Sequence, residues 1–245
     1  MKKHHFVAVF FVTLSLALVA FISPSKTLSA AEKSVNDSVL VAAATNTKAT
    51  VADKLMQLNL QEMGLSQEAV TYAVKGYEKL VASGTVTNPR YLTIVDFSQN
   101  SRNKRFYLLD VEKNEVVMNT YVSHGRNSGL DKAENFSNRI HSNQSSLGFY
   151  VTKTTYTGKH GKSLRLAGME EGFNDNAEAR AIVVHGADYV NPSRVNSGYM
   201  GRSQGCPALS KADYQKVIDL IRDGSVMFLY HPTAMNYVDQ SPLLN

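Results

Sequence analysis

AIVVHGADY, residues 181–189, is the stretch that decides the fold class of this 245-residue chain. Its first four residues form an apolar run typical of a buried strand, and His185-Gly186 ends the run. A strand holds its last residue rigidly while the loop beyond it opens to solvent, so functional side chains are common at such ends. The stretch therefore predicts a β-strand that presents a histidine at the edge of a cleft.

Similar short runs of β-branched and aromatic residues occupy much of the remaining chain. Clusters of Asn, Ser, Gly and Lys, which favour turns, separate them. The runs are YLTIVDF (91–97), RFYLLDV (105–111), EVVMNTYV (115–122), SLGFYV (146–151) and SVMFLYHP (225–232). The body, residues 88–232, is therefore predicted to be mainly β with a few helices, not an alternation of strands and helices.

Helical periodicity is confined to two places. Residues 51–84 are predicted to form an N-terminal helical segment that breaks at residues 63–65, with Ser66 as the N-cap of its second helix. Ser210 is expected to cap a later helix that ends at Gly224. Residues 233–245 remain as a C-terminal tail.

The first thirty residues have the order of a secretory signal peptide. Lys2 and Lys3 precede an apolar run from Phe6 to Ile22, and small residues at 28–31 offer a cleavage site. The alternative is an uncleaved membrane anchor, but 17 apolar residues span only about 26 Å of a hydrocarbon core about 30 Å thick. We therefore expect an exported protein of the periplasm or cell envelope, attached to a membrane only if residues 1–30 stay uncleaved, with residues 31–50 as a linker.

Charge and composition exclude several classes of protein. The net charge of +5 includes three lysines and no acid in residues 1–30, so the remaining chain carries 5 − 3 = +2. No basic block or zinc-finger spacing indicates a nucleic-acid partner. No motif predicts a cofactor, and the sequence leaves the oligomeric state open.

Cys206 is the only cysteine, and it lies in the turn-like stretch GRSQGCPAL, residues 201–209. In an exported chain, a single cysteine forms an intermolecular bridge or stays a free thiol that can be reactive. Cys206 follows His185 by 21 residues, so a loop could return the thiol to the imidazole, and a protonated imidazole would lower the pKa of the thiol. The pair could also bind zinc, although no CxxC, HxH or HExxH motif completes a metal site, so we expect no metal.

The pattern HG at 185–186 and SxGC at 203–206 resembles the signature of the YkuD-type L,D-transpeptidases, bacterial enzymes that crosslink or modify peptidoglycan. The resemblance extends from about residue 55 to residue 230. The chain is similar to the divergent branch called the murein L,D-transpeptidase catalytic domain family. The stretches that carry this similarity are FSNRIHSNQSSLGFYVT (136–152), YTGKHGKSLRLAGMEEGFNDNAEARAIVVHGADYV (156–190) and GLSQEAVTYAVKGYEKL (64–80). The fold it implies is a β-rich mixed sheet sandwich with short helices and an N-terminal helical appendage.

The resemblance also implies roles for residues. Cys206 matches the nucleophile, His185 its acid-base partner, and Gly186 the glycine whose carbonyl orients the imidazole. Ser203, Gln204 and Gly205 occupy the motif before the cysteine, with the N–H groups of Gly205 and Cys206 as implied oxyanion donors.

Substrate contacts are less specific expectations. Gly148 matches a substrate-side strand of the family, while His124 and Tyr189 are candidates for the cleft wall. The family has an arginine two residues after the cysteine, but this chain has Ala208 there. Arg202 could bind a carboxylate in its place or be a solvated loop charge.

The function implied is thiol acyl transfer on peptidoglycan stem peptides, which forms 3–3 crosslinks through a Cys206 thioester. If water is the acceptor, the same thiol makes an L,D-carboxypeptidase or a hydrolase. A cysteine peptidase of the NlpC/P60 type fits less well because its cysteine precedes its histidine. The remaining alternative is a catalytically silent wall-binding module, with a thiol pKa near or above that of free cysteine.

Overall fold

The computed structural model describes residues 50–245. The predicted signal peptide and residues 31–49 of the predicted linker lie outside the described residues. No helix within 50–245 combines the length and the apolar character needed for a membrane span.

Four α-helices and eight strands make up the described chain. The α-helices are α1 (Val51–Met56), α2 (Gln67–Ala82), α3 (Tyr214–Ile221) and α4 (Tyr237–Gln240). The strands are β1 (Tyr91–Asp96), β2 (Phe106–Asp110), β3 (Glu115–Thr120), β4 (Gly148–Gly158), β5 (Gly161–Gly168), β6 (Val183–Gly186), β7 (Ala208–Leu209) and β8 (Val226–Tyr230). Short 3₁₀ helices lie at Asp175–Ala177, Pro192–Ser197 and Ala234–Asn236.

All eight strands belong to one mixed sheet, in the order β3-β2-β1-β8-β4-β5-β6-β7. The pairs β1–β8 and β6–β7 are parallel, and the other neighbours are antiparallel. The prediction of a mainly β fold with a mixed sheet and short helices is confirmed. Strands β1, β2 and β8 are buried at every residue, which explains why their sequences are continuous apolar runs rather than alternating ones.

The two ends of the sheet are joined beyond β3. Val122, two residues after β3, forms a bridge to Leu209 of β7, and the Ser123 N–H donates to the Ala208 carbonyl at 2.9 Å. A further bridge joins Gly125 to Ser203. The sheet is therefore nearly closed, and the closure holds the segment before Cys206 against the chain that leaves β3.

Helix α2 covers the middle of the sheet. Ser66 is its N-cap, and the Ser66 side chain accepts from the Ala69 N–H at 3.1 Å, as predicted. Its buried face packs into the same core as the strands and consists of Ala69, Val70, Ala73, Val74, Gly76, Tyr77 and Leu80.

The later helix is shorter than predicted. Ser210 accepts from the Asp213 N–H at 3.1 Å and so caps a turn, whereas α3 itself begins at Tyr214. It ends at Ile221, and Gly224, with φ of 107°, belongs to the turn that leads into β8. The strands β5 and β7 were not predicted.

The predicted C-terminal tail contacts the core through Glu170. This buried carboxylate accepts hydrogen bonds from the Phe149 N–H at 2.7 Å, from the Tyr237 hydroxyl at 2.8 Å and from the Ser241 hydroxyl. Burial raises the pKa of Glu170 above its ordinary value, and these hydrogen bonds offset part of the rise. The carboxylate thus connects the start of β4 to α4 and the residue after it.

Candidate active site

A cleft of about 480 Å³ opens where β6, the β4–β5 hairpin and the loop before β7 meet. Cys206 and His185 both line this cleft. The parallel pairing of β6 with β7 sets His185 opposite Ala208 and Gly186 opposite Leu209. Because Cys206 precedes Ala208 by two residues, this register sets Cys206 level with Val183, two residues before His185 along β6, and both side chains line the cleft.

The His185 ring has a defined tautomer. Its Nδ1 lies 3.1 Å from the carbonyl oxygen of Gly186, which can only accept, so Nδ1 carries the proton. Nε2 of the neutral ring is then an unprotonated base. This contact is the orienting role that the resemblance implies for Gly186.

His160, at the tip of the β4–β5 hairpin, stacks on His185. The ring centroids are 4.3 Å apart and the planes differ by 19°. Burial lowers the pKa of His185, and the nearby His160 and Lys211 lower it further, although the Gly186 carbonyl favours the protonated form. No sequence motif links His160 to the strand end that it covers, so its place beside His185 was not predicted.

The Cys206 thiol donates a long hydrogen bond to the Ala181 carbonyl at 3.7 Å. Burial raises its pKa, while a backbone hydrogen bond from Val183 and the charge of Arg180 offset only part of this effect. The spacing of the two residues predicts the opposite direction, a thiol pKa lowered by protonated His185. That expectation fails here because burial also disfavours the imidazolium, so the two groups rest as neutral thiol and neutral imidazole.

Ser203 organises the turn that leads to Cys206. Its hydroxyl donates to the Cys206 carbonyl at 2.7 Å and accepts from the Gly205 N–H at 3.0 Å, and its backbone N–H donates to the His124 carbonyl at 2.9 Å. The Gly205 N–H is therefore engaged inside the turn and is not available as an oxyanion donor, contrary to the implied role. The Cys206 N–H has no acceptor among residues 50–245.

Gly205 requires the absence of a side chain. Its φ is 124°, and a Cβ there would lie 2.7 Å from the Gln144 carbonyl oxygen. Its own carbonyl accepts from the Ser145 hydroxyl at 3.3 Å. The turn is thus packed against the loop before β4, and Gln204 is left exposed in the cleft wall.

Arg202 and Tyr189, the two candidates for substrate contacts, both line the cleft. Arg202 Nη1 donates to the carbonyls of Arg126 and Gly129 at 3.0 and 3.1 Å, so part of its guanidinium holds the neighbouring loop. Burial raises the pKa of Tyr189 to about 12, and its ring packs on Gly201.

The structure does not bring His124 into the cleft. His124 is fully buried, its Nδ1 accepts from Arg105 at 2.7 Å, and its Nε2 donates to the Gly129 carbonyl at 3.3 Å. Burial and then the charge of Arg105 lower its pKa to about 3, so the ring stays neutral. It contributes to the site through its backbone carbonyl, which accepts from Ser203.

Gly148 is also absent from the described cleft wall. It is buried with φ of 109°, and a Cβ would lie 2.4 Å from the Glu170 carboxylate and 2.6 Å from the Asn174 amide. Glycine at this position therefore serves close packing at the start of β4 rather than substrate contact.

Arg180 is a residue of the cleft that sequence reasoning missed. It is half-buried, and it donates to the carbonyls of Ser137 at 2.7 Å and Gln144 at 2.5 Å, and to the hydroxyls of Ser142 and Ser146. Its position five residues before His185 gives no signal in sequence. The arrangement supplies a cation near the thiol, although not at the position where the family has its arginine.

Within residues 50–245, no group of three or more His, Cys, Asp or Glu side chains is arranged to hold a metal ion. The described cleft therefore offers a thiol, a base, a backbone N–H and several cations.

The amino-acid sequence matches the L,D-transpeptidase catalytic domain over residues 61–230, which is more than half of the chain. The chain belongs to the L,D-transpeptidase catalytic domain family. The resemblance drawn from the HG and SxGC motifs is thereby confirmed at the level of the family. No curated protein matches the sequence significantly.

Several solved structures resemble this chain at low identity, among them L,D-transpeptidases. The Mycobacterium smegmatis enzyme is 16% identical with a TM-score of 0.36, over 58% of this chain and 59% of its own. The enzyme from Xylanimonas cellulosilytica is 19% identical with a TM-score of 0.33, over 62% and 68%. The helical cell shape determining protein Pgp2 from Campylobacter jejuni is 13% identical with a TM-score of 0.38, over 69% and 58%. The family assignment rests on the match over residues 61–230.

Proposed function

We propose that this L,D-transpeptidase family member is an exported cysteine acyltransferase that acts on peptidoglycan stem peptides and forms 3–3 crosslinks. The observation that carries the proposal is that Cys206 and His185 line one cleft, with His185 Nδ1 bonded to Gly186. That contact leaves Nε2 as the base. Family membership and the predicted signal peptide support the substrate and the location.

The first half of the reaction makes a thioester. Nε2 of His185 takes the thiol proton as Sγ of Cys206 attacks the carbonyl carbon at the L-centre of the donor stem's diamino acid. The C–N bond to the terminal D-alanine then breaks, and the imidazolium gives its proton to the departing amine. Because the resting pair is neutral, proton transfer accompanies attack rather than preceding it.

The negative oxygen of the tetrahedral intermediate needs a donor. We assign the Cys206 N–H, because the Gly205 N–H is held by the Ser203 hydroxyl. Removing one such donor typically costs about 10²–10³ in rate. Ser203 therefore has a positioning role, since it fixes the peptide plane that precedes Cys206.

The second half transfers the acyl group. The amine of a second stem loses a proton to His185 and attacks the thioester, and the thiol is released when Sγ takes that proton back. If water replaces the amine, the same steps give an L,D-carboxypeptidase or another hydrolase. A silent wall-binding module shares the raised thiol pKa but predicts no acylation.

Intact-mass measurement with a carbapenem tests the thiol chemistry, because opening of the β-lactam by Sγ leaves a covalent adduct. We expect one adduct on the parent protein, none on Cys206→Ser, and much slower acylation of His185→Gln. Purified stem peptides would then separate crosslinked dimers from hydrolysed monomers. An unmodified parent protein that also leaves stem peptides unchanged would overturn the proposal in favour of the silent module.

A further inference from the structure

The charged side chains of the cleft wall all have one sign. Cations and histidines line the cleft, and no aspartate or glutamate does so among the described residues. The residues concerned are Arg126, Lys159, Arg180 and Arg202, together with His141, His160 and His185.

These four cations also have no acidic partner. Within the described chain, ion pairs involve other residues, and no carboxylate oxygen lies within 4.0 Å of Arg126, Lys159, Arg180 or Arg202. Their hydrogen-bond acceptors are neutral, as the four oxygens around the Arg180 guanidinium illustrate. Cations gathered in a concave site repel one another and attract anions.

Among the cleft cations, Arg180 lowers the pKa of the Cys206 thiol most, and Lys159 follows. Half-buried and surrounded by neutral acceptors, Arg180 has lost part of its hydration without gaining a counter-ion. An anionic group of a ligand would supply the missing charge. Arg126 and Lys159 are exposed at the cleft wall, so they add to the field without a comparable cost of burial.

We propose that the cleft selects peptides that carry free carboxylates beside the scissile carbonyl, and discriminates against the same peptides with those groups as carboxamides. This inference rests on the proposed function of the same site and specifies its substrate class. One charge-assisted hydrogen bond is enough to separate the acid from the amide by about tenfold or more. In this proposal the four cations of the cleft together bind the carboxylates, a role that the sequence suggested for Arg202 alone.

The first experiment needs no turnover. Cys206 is alkylated at one pH with iodoacetate and, separately, with iodoacetamide. In both reactions the thiolate displaces iodide and forms a thioether. Each alkylation rate is divided by the rate of the same reagent with N-acetylcysteine amide, a free thiol. We expect the anionic reagent to be favoured about tenfold at low salt, with the preference falling as salt screens the field. A ratio equal to that of the free thiol would overturn the proposal.

Paired variants locate the effect. Arg126→Gln/Lys159→Gln removes two exposed cleft cations, whereas Lys104→Gln/Lys216→Gln removes two exposed lysines that do not line the cleft. The first pair should lose several-fold of the iodoacetate preference and the second should keep it. Equal loss in both pairs would mean that net charge alone acts, which contradicts selection by the cleft.

The second experiment uses the peptides themselves. Two stem tetrapeptides, one with free carboxylates and one with side-chain carboxamides, are each tested for protection of Cys206 against iodoacetamide. Protection reports how far each peptide occupies the site, whether it is bound noncovalently or as a thioester. Weaker protection by the carboxamide peptide, by about tenfold, supports the proposal, and equal protection overturns it. Protection by the free acid without turnover would instead contradict the proposed transferase function and leave the selectivity established.

Discussion

At the scale of single residues, the two reactive groups are shifted away from ionisation. Burial raises the pKa of the Cys206 thiol and lowers the pKa of the His185 imidazole. An ion pair of thiolate and imidazolium is therefore the less stable state of the free protein.

The reactivity of Cys206 toward iodoacetamide tests this resting state. Because the thiol pKa is raised, alkylation should keep accelerating as pH increases beyond about 8.5, the ordinary pKa of a free thiol. The alkylation rate is measured from pH 5 to pH 10 by quenching samples at set times and recording their intact mass. Cys206→Ser serves as the blank. A plateau between pH 5 and pH 8 would reveal a stable ion pair and contradict the neutral state.

His160 should influence the pKa of His185 in two separable ways. His160→Phe keeps a stacked ring and removes only the charge, whereas His160→Ala also exposes His185 to water. Both changes should raise the pKa of His185, and the alanine variant more, because burial is the larger cause of the lowering.

Titration of the His185 ring by NMR gives its pKa in the parent protein and in both variants. An unchanged pKa in both variants would show that the stacked ring has no electrostatic role. Under the proposed mechanism, the acid limb of activity should move to higher pH in parallel, since protonated His185 cannot accept the thiol proton.

The site residues that could be predicted are those that stand out in the sequence by residue type and position. Cys206 stands alone, and His185 ends an apolar run, so both were predicted. Arg180 lies just before β6 and gives no motif, and only the β4–β5 hairpin brings His160 to His185. The direction of the Cys206 pKa shift was predicted wrongly because the sequence does not reveal how burial acts on the thiol and on the imidazole.

At the scale of elements, α2 depends on a glycine in its interior. A Cβ on Gly76 would lie 2.1 Å from the ring of Phe149 in β4, and that ring stacks on Phe228 at 4.1 Å. The helix therefore approaches the sheet more closely than any other residue would allow. Strands such as β1 and β8 were predictable from their apolar runs, but this close approach was not.

Gly76→Ala should destabilise the protein by about 1–3 kcal/mol through overpacking. In a helix without this contact, the same change would stabilise by about 0.5–1 kcal/mol. Urea denaturation gives the sign, and Phe149→Leu in the same chain should recover part of the loss, because a smaller side chain frees the space. A stabilised Gly76→Ala variant would contradict the packing described for α2.

The missed strands have simple physical reasons. β5, with the sequence GKSLRLAG, has glycine at both ends and two cations, so it lacks the β-branched and aromatic residues that signal a strand. β7 has two residues, too few for any periodicity. Both acquire their conformation from the strands beside them.

At the scale of the whole molecule, Glu170 makes stability depend on pH. Its folded pKa lies above its unfolded value, so the folded state binds a proton more tightly. The stabilisation is fully present below the unfolded pKa, about 4.5, and is lost as pH rises through the folded pKa. The other titratable groups make their own contributions to the pH dependence of the free energy of unfolding, which add to that of Glu170.

Glu170→Gln should remove this contribution. The amide oxygen can accept from the Phe149 N–H and the Tyr237 hydroxyl, and the amide nitrogen can donate to the Ser241 hydroxyl. We expect the free energy of unfolding of the variant to decline less than that of the parent from pH 4.5 upward. Parallel curves would contradict the raised pKa, and Glu170→Ala should lose about 1–3 kcal/mol for each group left unsatisfied.

The strand order has a consequence for how the molecule is made. β8 lies between β1 and β4 in the sheet, yet it is the last strand to leave the ribosome. Until residues 226–230 are synthesised, β1 and β4 each lack one neighbouring strand. The nascent chain therefore has two unpaired strand edges that only β8 can join. Completion of the whole sheet must therefore wait for nearly the whole polypeptide.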